Sequence, residues 1–123
     1  MIAESVQDFH EFFNLPVGNV KVTDNKDMEL RRKLITEEYN EVVDAFRLRD
    51  DKQLLKELCD LVYVAVGTAV ALGYDFNEAF MRVHESNMSK LDNDGLPVFR
   101  EDGKLLKGPN YKPADLSDCV PHG

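Results

Sequence analysis

Three observations predict an all-α fold, a bundle of about four helices with a short irregular C-terminal extension. Apolar residues recur at three- and four-residue spacing over positions 5–91. The segments that carry this pattern are joined by short connections, as between antiparallel neighbours. Strand-like alternation is confined to a few residues near the C-terminus. The 123 residues suit one domain with one core. A single domain over 1–123 is therefore expected, with a helical core at about 5–91 and the extension at about 92–123.

Each element has its own local cause. Ser5 is expected to cap a first helix, with Val6, Phe9 and Phe13 on one stripe. Asn14, Leu15, Pro16 and Gly18 break the pattern, and residues 14–27 read as a loop. A second helix is expected from about Met28 to Arg49. Asp50 and Asp51 form a short connection and can cap a third helix, from about Lys52 to Leu72, which Gly73 stops. Asp75, with Glu78 three residues on, has capping-box spacing for a fourth helix reaching about Lys90. Phe76, Ala79, Phe80, Val83 and Asn87 lie along one side of it. Beyond Leu91, Asp94-Gly95 and Asp102-Gly103 are turn signals. Between them Leu96-Pro97-Val98-Phe99 is short and strand-like, Lys104-Leu105-Leu106 can return as a small hairpin, and Pro113 is expected to start a last helical turn.

Composition excludes several classes of function. The formal net charge is -8, which repels a nucleic-acid polymer but not a small anion carried with metal ions. Cys59 and Cys119 show neither a disulfide framework nor zinc spacing, so two thiols in a reducing compartment are expected. The start of the chain has no signal-peptide pattern, and the apolar run from Leu61 to Gly73 is too short to span a membrane. A soluble, cytoplasmic protein without a membrane or nucleic-acid partner is the expectation.

The chemistry concentrates in two acidic groups. At about 100° per residue, Leu30, Leu34, Ile35, Val42, Ala45, Phe46 and Leu48 share one side of the second helix. Glu38 and Glu41 fall within that side and Glu37 at its edge. Glu57 and Asp60 stand at i,i+3 on the third helix and run into Leu61-Val62-Tyr63-Val64-Ala65-Val66. Carboxylates aimed at a core are costly without a positive partner. No run of Lys or Arg occupies buried-looking positions, so a bound cation is the least costly solution. An oxygen-only donor set suits Mg²⁺, or Mn²⁺, better than iron or zinc. A di-iron bundle would need Glu-x-x-His on two helices, and none of His10, His84 and His122 follows a Glu by three. The alternative is a pair of solvated acidic faces.

Other groups admit two readings each. Asn87 and Lys90, also at i,i+3, can hold phosphate oxygens or serve as helix-end residues. Lys104, Lys107 and Tyr111 lie in a glycine-bearing segment that can fold over a ligand or stay solvated. His10, Phe12, Phe13 and Pro16 form an aromatic-rich cluster that can stack on a base or fill a core.

Glu37-Glu38-x-x-Glu41 followed by Glu57-x-x-Asp60 resembles the signature of the MazG-like all-α nucleotide pyrophosphohydrolases. That superfamily includes phosphoribosyl-ATP pyrophosphohydrolase and the dimeric dUTPases. Phe9-His10-Glu11-x-Phe13, Val83-His84-x-x-Asn87-x-Ser89-Lys90 and the segment Lys104 to Tyr111 resemble a compact single-domain branch. The resemblance implies a MazG fold and Mg²⁺-dependent cleavage of a nucleoside triphosphate to the monophosphate and pyrophosphate, for example in nucleotide-pool cleansing. It implies Glu38, Glu41, Glu57 and Asp60 as metal ligands, with Glu37 and Glu38 as catalytic positions. His10, Phe13, Asn87, Lys90, Lys107 and Tyr111 are the candidate substrate contacts, and the resemblance implies a homodimer or homotetramer. No base-reading motif is evident, and tryptophan is absent. Two other readings stand beside this one: hydrolysis of phosphoribosyl-ATP, and a non-catalytic helical module that binds metal or nucleotide.

Overall fold

The computed structural model describes residues 1–121. It is an all-α fold of four helices with one small hairpin: α1 (Ile2–Phe12), α2 (Asn25–Leu48), α3 (Asp51–Leu72), α4 (Phe76–Met88), β1 (Val98–Phe99) and β2 (Leu105–Leu106). The chain divides into two compact units, Met1–Phe76 and Asn77 onward. The C-terminal segment therefore shares a unit with α4.

In the first unit α3 packs against both α1 and α2. Its start is set by Asp50, whose Oδ1 accepts from the Lys52 and Gln53 amides at 3.0 and 3.2 Å. Its end is set by Gly73, in the left-handed region at φ 72°, with its amide on Val70 O. Between these ends the buried residues crowd into the C-terminal half, where Val66, Gly67, Ala69, Val70, Ala71 and Leu72 are all buried. Val66 and Val70 meet Val6 of α1, with Ala3 and Phe76 alongside. Ala71 and Leu72 meet Val20, with Met28 and Tyr74 alongside.

The first helix departs from expectation at both ends of its stripe. It starts at Ile2, so Ser5 lies inside it and donates its hydroxyl back to Met1 O at 2.9 Å. Its buried residues are Val6 and His10. Phe9 and Phe13 instead stack on one another at 4.7 Å, and Phe9 meets Tyr63 of α3 edge-on at 5.3 Å. The stripe rotates because the loop after α1 must be held. His10 Nδ1 lies 2.8 Å from Pro16 O, and the loop amides of Gly18 and Val20 bond Val70 O and Ala71 O at 2.9 and 3.1 Å. The buried His10 ring thus finds a partner in the carbonyl of the half-buried Pro16.

In the second unit, Val98 pairs with Leu106 and Phe99 with Leu105 in an antiparallel hairpin. Its turn is closed by Asp102, which accepts from the Arg100 guanidinium and the Lys104 amide. Beyond it the chain returns to α4. The Gly108 amide bonds Lys90 O at 2.9 Å, Ser86 Oγ donates to Lys112 O at 2.7 Å, and the Lys112 amide bonds Ser89 Oγ at 2.9 Å. Arg82 ties the segment down further, contacting Asp115 O and the Asp118 carboxylate. No helical turn begins at Pro113. The residues there are spent on side-chain and backbone bonds to α4.

Candidate active site

The two acidic groups come from α2 and α3, the packed pair of the first unit. One carboxylate oxygen from each of Glu38, Glu41, Glu57 and Asp60 can be chosen so that all lie within 4.8 Å of one another. Glu57 is the innermost at 3% exposure, Glu38 and Asp60 are half-buried, and Glu41 is exposed. The helical repeat explains the set. Residues three apart share a face, so Glu38 with Glu41 and Glu57 with Asp60 each present two carboxylates to the same seam. Glu37 is exposed beside them.

The electrostatics of the quartet are strained. Among the described residues, Glu38 Oε2 and Glu57 Oε2 are buried side-chain atoms without a hydrogen-bond partner. Native proteins rarely leave such atoms bare unless a water or ion meets them. The facing Glu41 carboxylate, together with burial, pushes Glu57 above the usual carboxylate range, and Lys56 pulls it the other way. Gln53 Nε2 donates to Glu57 Oε1 at 2.6 Å, which fixes the orientation of that carboxylate.

A positive partner exists that sequence reading missed. Lys56 Nζ lies 2.6 Å from Asp60 Oδ2 and 3.6 Å from Glu57 Oε1. These contacts raise the Lys56 pKa, chiefly through Asp60. Spacing was the available signal: Gln53 to Glu57 and Lys56 to Asp60 are both i,i+4 pairs. One ammonium offsets part of the charge of four carboxylates and leaves the two bare oxygens unmet.

The donor set fits a hard divalent cation. It is all oxygen and anionic, comes from two rigid helices, and has buried lone pairs facing no protein donor.

The profile of a family described as phosphoribosyl-ATP pyrophosphohydrolase matches residues 6–87, two thirds of the chain. The chain belongs to the phosphoribosyl-ATP pyrophosphohydrolase family. It is a nucleotide pyrophosphohydrolase of the MazG-like superfamily. The matched span contains the whole acidic quartet and the Asn87 position, and stops short of the C-terminal hairpin. Among curated proteins none matches the chain.

In this pyrophosphohydrolase the remaining candidate residues have distinct surroundings. His10 is 3% exposed and has no open ring face for a base. Its Nδ1 serves Pro16 O, and Gly67 of α3 allows the ring to lie close to the helix backbone. Phe13 is exposed and stacked among Phe9 and Phe12. Asn87, Lys90, Lys107 and Tyr111 belong to the second unit. There the Gly108 bond to Lys90 O brings the Lys107–Tyr111 segment to the C-terminal end of α4, and Lys107 Nζ sits 4.7 Å above the Tyr111 ring. Groups far apart in sequence thus meet at one helix end. No helix of the described residues is long and apolar enough to cross a membrane.

Proposed function

We propose that this pyrophosphohydrolase cleaves the α–β phosphoanhydride of a (deoxy)nucleoside triphosphate, releasing the nucleoside monophosphate and pyrophosphate, and that it uses Mg²⁺, with Mn²⁺ as an alternative. The observation that carries the reading is the pair of buried, unpartnered oxygens, Glu38 Oε2 and Glu57 Oε2, inside a four-carboxylate cluster. Glu38, Glu41, Glu57 and Asp60 would hold the cation. Bound there, it supplies charge neutralisation on the phosphate oxygens and acidifies water.

The chain's own residues do the rest. Glu57 is locked by Gln53, so its carboxylate is preorganised. Glu37 is exposed next to the cluster and can accept a proton from, and orient, the water that attacks the α-phosphorus. A P–O bond forms to that water, the bond to the bridging oxygen breaks, and pyrophosphate leaves with the electron pair. Positioning and electrostatics then account for most of the acceleration, since little covalent chemistry is asked of the protein.

One observation favours a second reading. The matching family is described by phosphoribosyl-ATP, whose hydrolysis breaks the same kind of bond. The deciding experiment is a panel of canonical and damaged (d)NTPs and phosphoribosyl-ATP with Mg²⁺, with products resolved. Monophosphate plus pyrophosphate from triphosphates supports the first reading, and turnover confined to phosphoribosyl-ATP supports the second. Diphosphate plus orthophosphate sinks both. Stabilisation by Mg²⁺ and nucleotide without turnover would mark a binding module.

A further inference from the structure

Lys56 is placed unusually for a helix-surface lysine. Its side chain is 63% exposed, yet its ammonium reaches back to Asp60 Oδ2 at 2.6 Å and to Glu57, the most buried carboxylate of the quartet. The stem lies in water, and only the head engages the cluster. A lysine head is a compact, strongly hydrated point charge on a flexible tether, and an exposed ion pair of this kind is weak. It can therefore leave easily when a stronger positive charge arrives.

We propose that Lys56 is a tethered counter-ion that occupies the acidic quartet when no divalent cation is bound and competes with that cation for Asp60 and Glu57. The proposal rests on the quartet being a metal site. A divalent cation on Asp60 repels the ammonium beside it, so loading the site favours release of the ammonium to solvent. The device has two effects. It limits the self-repulsion of four carboxylates in the metal-free protein. It also weakens cation affinity, so that occupancy follows the divalent cation concentration instead of being permanent.

The test uses the full-length chain and its Lys56→Met and Lys56→Arg variants. Methionine keeps the length and helix preference of the side chain at an exposed position. Calorimetric titration with Mg²⁺ and with Mn²⁺ should show Lys56→Met binding roughly one-and-a-half- to fivefold more tightly than wild type, the range one such ion pair spans. Lys56→Arg, which keeps the charge, should stay near wild type. Thermal melts in EDTA should show Lys56→Met melting below wild type, with the gap closing at saturating Mg²⁺. Equal or weaker cation affinity in Lys56→Met overturns the proposal while leaving the metal site intact. Unchanged affinity with a raised KM would make Lys56 a substrate contact and overturns it as well. If wild type binds neither cation, the metal reading itself falls, and this one with it.

Discussion

Asp60 shows how much one side chain is asked to do. It shares its charge with Lys56 and sits within reach of three other carboxylates. Replacing it with Asn keeps the shape and removes the charge. Asp60→Asn, or Glu38→Gln, should lower kcat/KM on the order of a hundredfold or more, several kcal/mol of transition-state stabilisation. The helical circular dichroism should be unchanged. Near wild-type turnover of Asp60→Asn at saturating Mg²⁺ would remove the quartet from the mechanism. Gly67 carries a different constraint. A Cβ there would lie 2.8 Å from Arg31 Nη2 and 2.9 Å from His10 Nε2. Neither group can easily retreat, since Arg31 is bonded to Thr68 Oγ1 and Val64 O, and His10 to Pro16 O. Gly67→Ala should therefore destabilise the fold by about 1–2 kcal/mol, overpacking outweighing the gain in helix propensity. Urea unfolding measures this, and a stabilised variant would show that the two side chains move aside.

At the scale of elements, α3 and α4 play unlike parts. Helix α3 is the axis of the first unit: it is capped at both ends, touches α1 and α2, and carries half of the quartet. Helix α4 is the anchor of the C-terminal segment, through Ser86, Ser89 and the Lys90 carbonyl. The closest point of that attachment is Gly108, where a Cβ would come within 2.7 Å of both Lys90 O and the Leu91 carbonyl carbon. Those are backbone atoms and cannot give way. Gly108→Ala should lift the segment from the end of α4 and raise the hydrogen-exchange rates of the Gly108 and Lys112 amides, which are bonded to that helix end. It should leave the amides of α1 to α3 as they were. Unchanged exchange at Gly108 and Lys112 would mean that the attachment does not depend on this approach.

For the whole molecule, the unequal burial along α3 matters most. Its last two turns, from Val66 to Leu72, are packed, while Leu55, Leu58, Val62 and Tyr63 remain exposed, beside Ile2 and Phe9 of α1. A groove of about 460 Å³ between α1 and α3 is lined by Ile2, Val6, Leu58, Val62 and their neighbours. Apolar faces of this kind mark association surfaces, and they support the proposal that the chain functions as a homodimer or homotetramer. Light scattering at micromolar concentration should give at least twice the mass of one chain. Leu58→Glu combined with Val62→Glu should reduce that mass while preserving helicity. A monomeric wild type would refute self-association.

The sequence by itself determined the four helices, both caps of α3 and the membership of the acidic quartet. These are local or periodic properties: Asp50 and Gly73 fix the ends of α3 through their own backbones, and i,i+3 spacing puts each carboxylate pair on one face. The hairpin was legible for the same reason, its strands standing either side of the Asp102-Gly103 turn. Tertiary structure decided what depends on which face meets which partner. Periodicity places Phe9 and Phe13 on a stripe with Val6, but it does not say that His10 turns inward instead, onto the loop carbonyl of Pro16. Nor could it show that a lysine lying in solvent reaches Asp60, that Gly108 meets the end of α4, or that Glu38 and Glu57 each bury an oxygen with no partner. Those facts come from the approach of two helices or of a helix and a distant segment, where desolvation and close packing are set jointly by residues far apart in the chain.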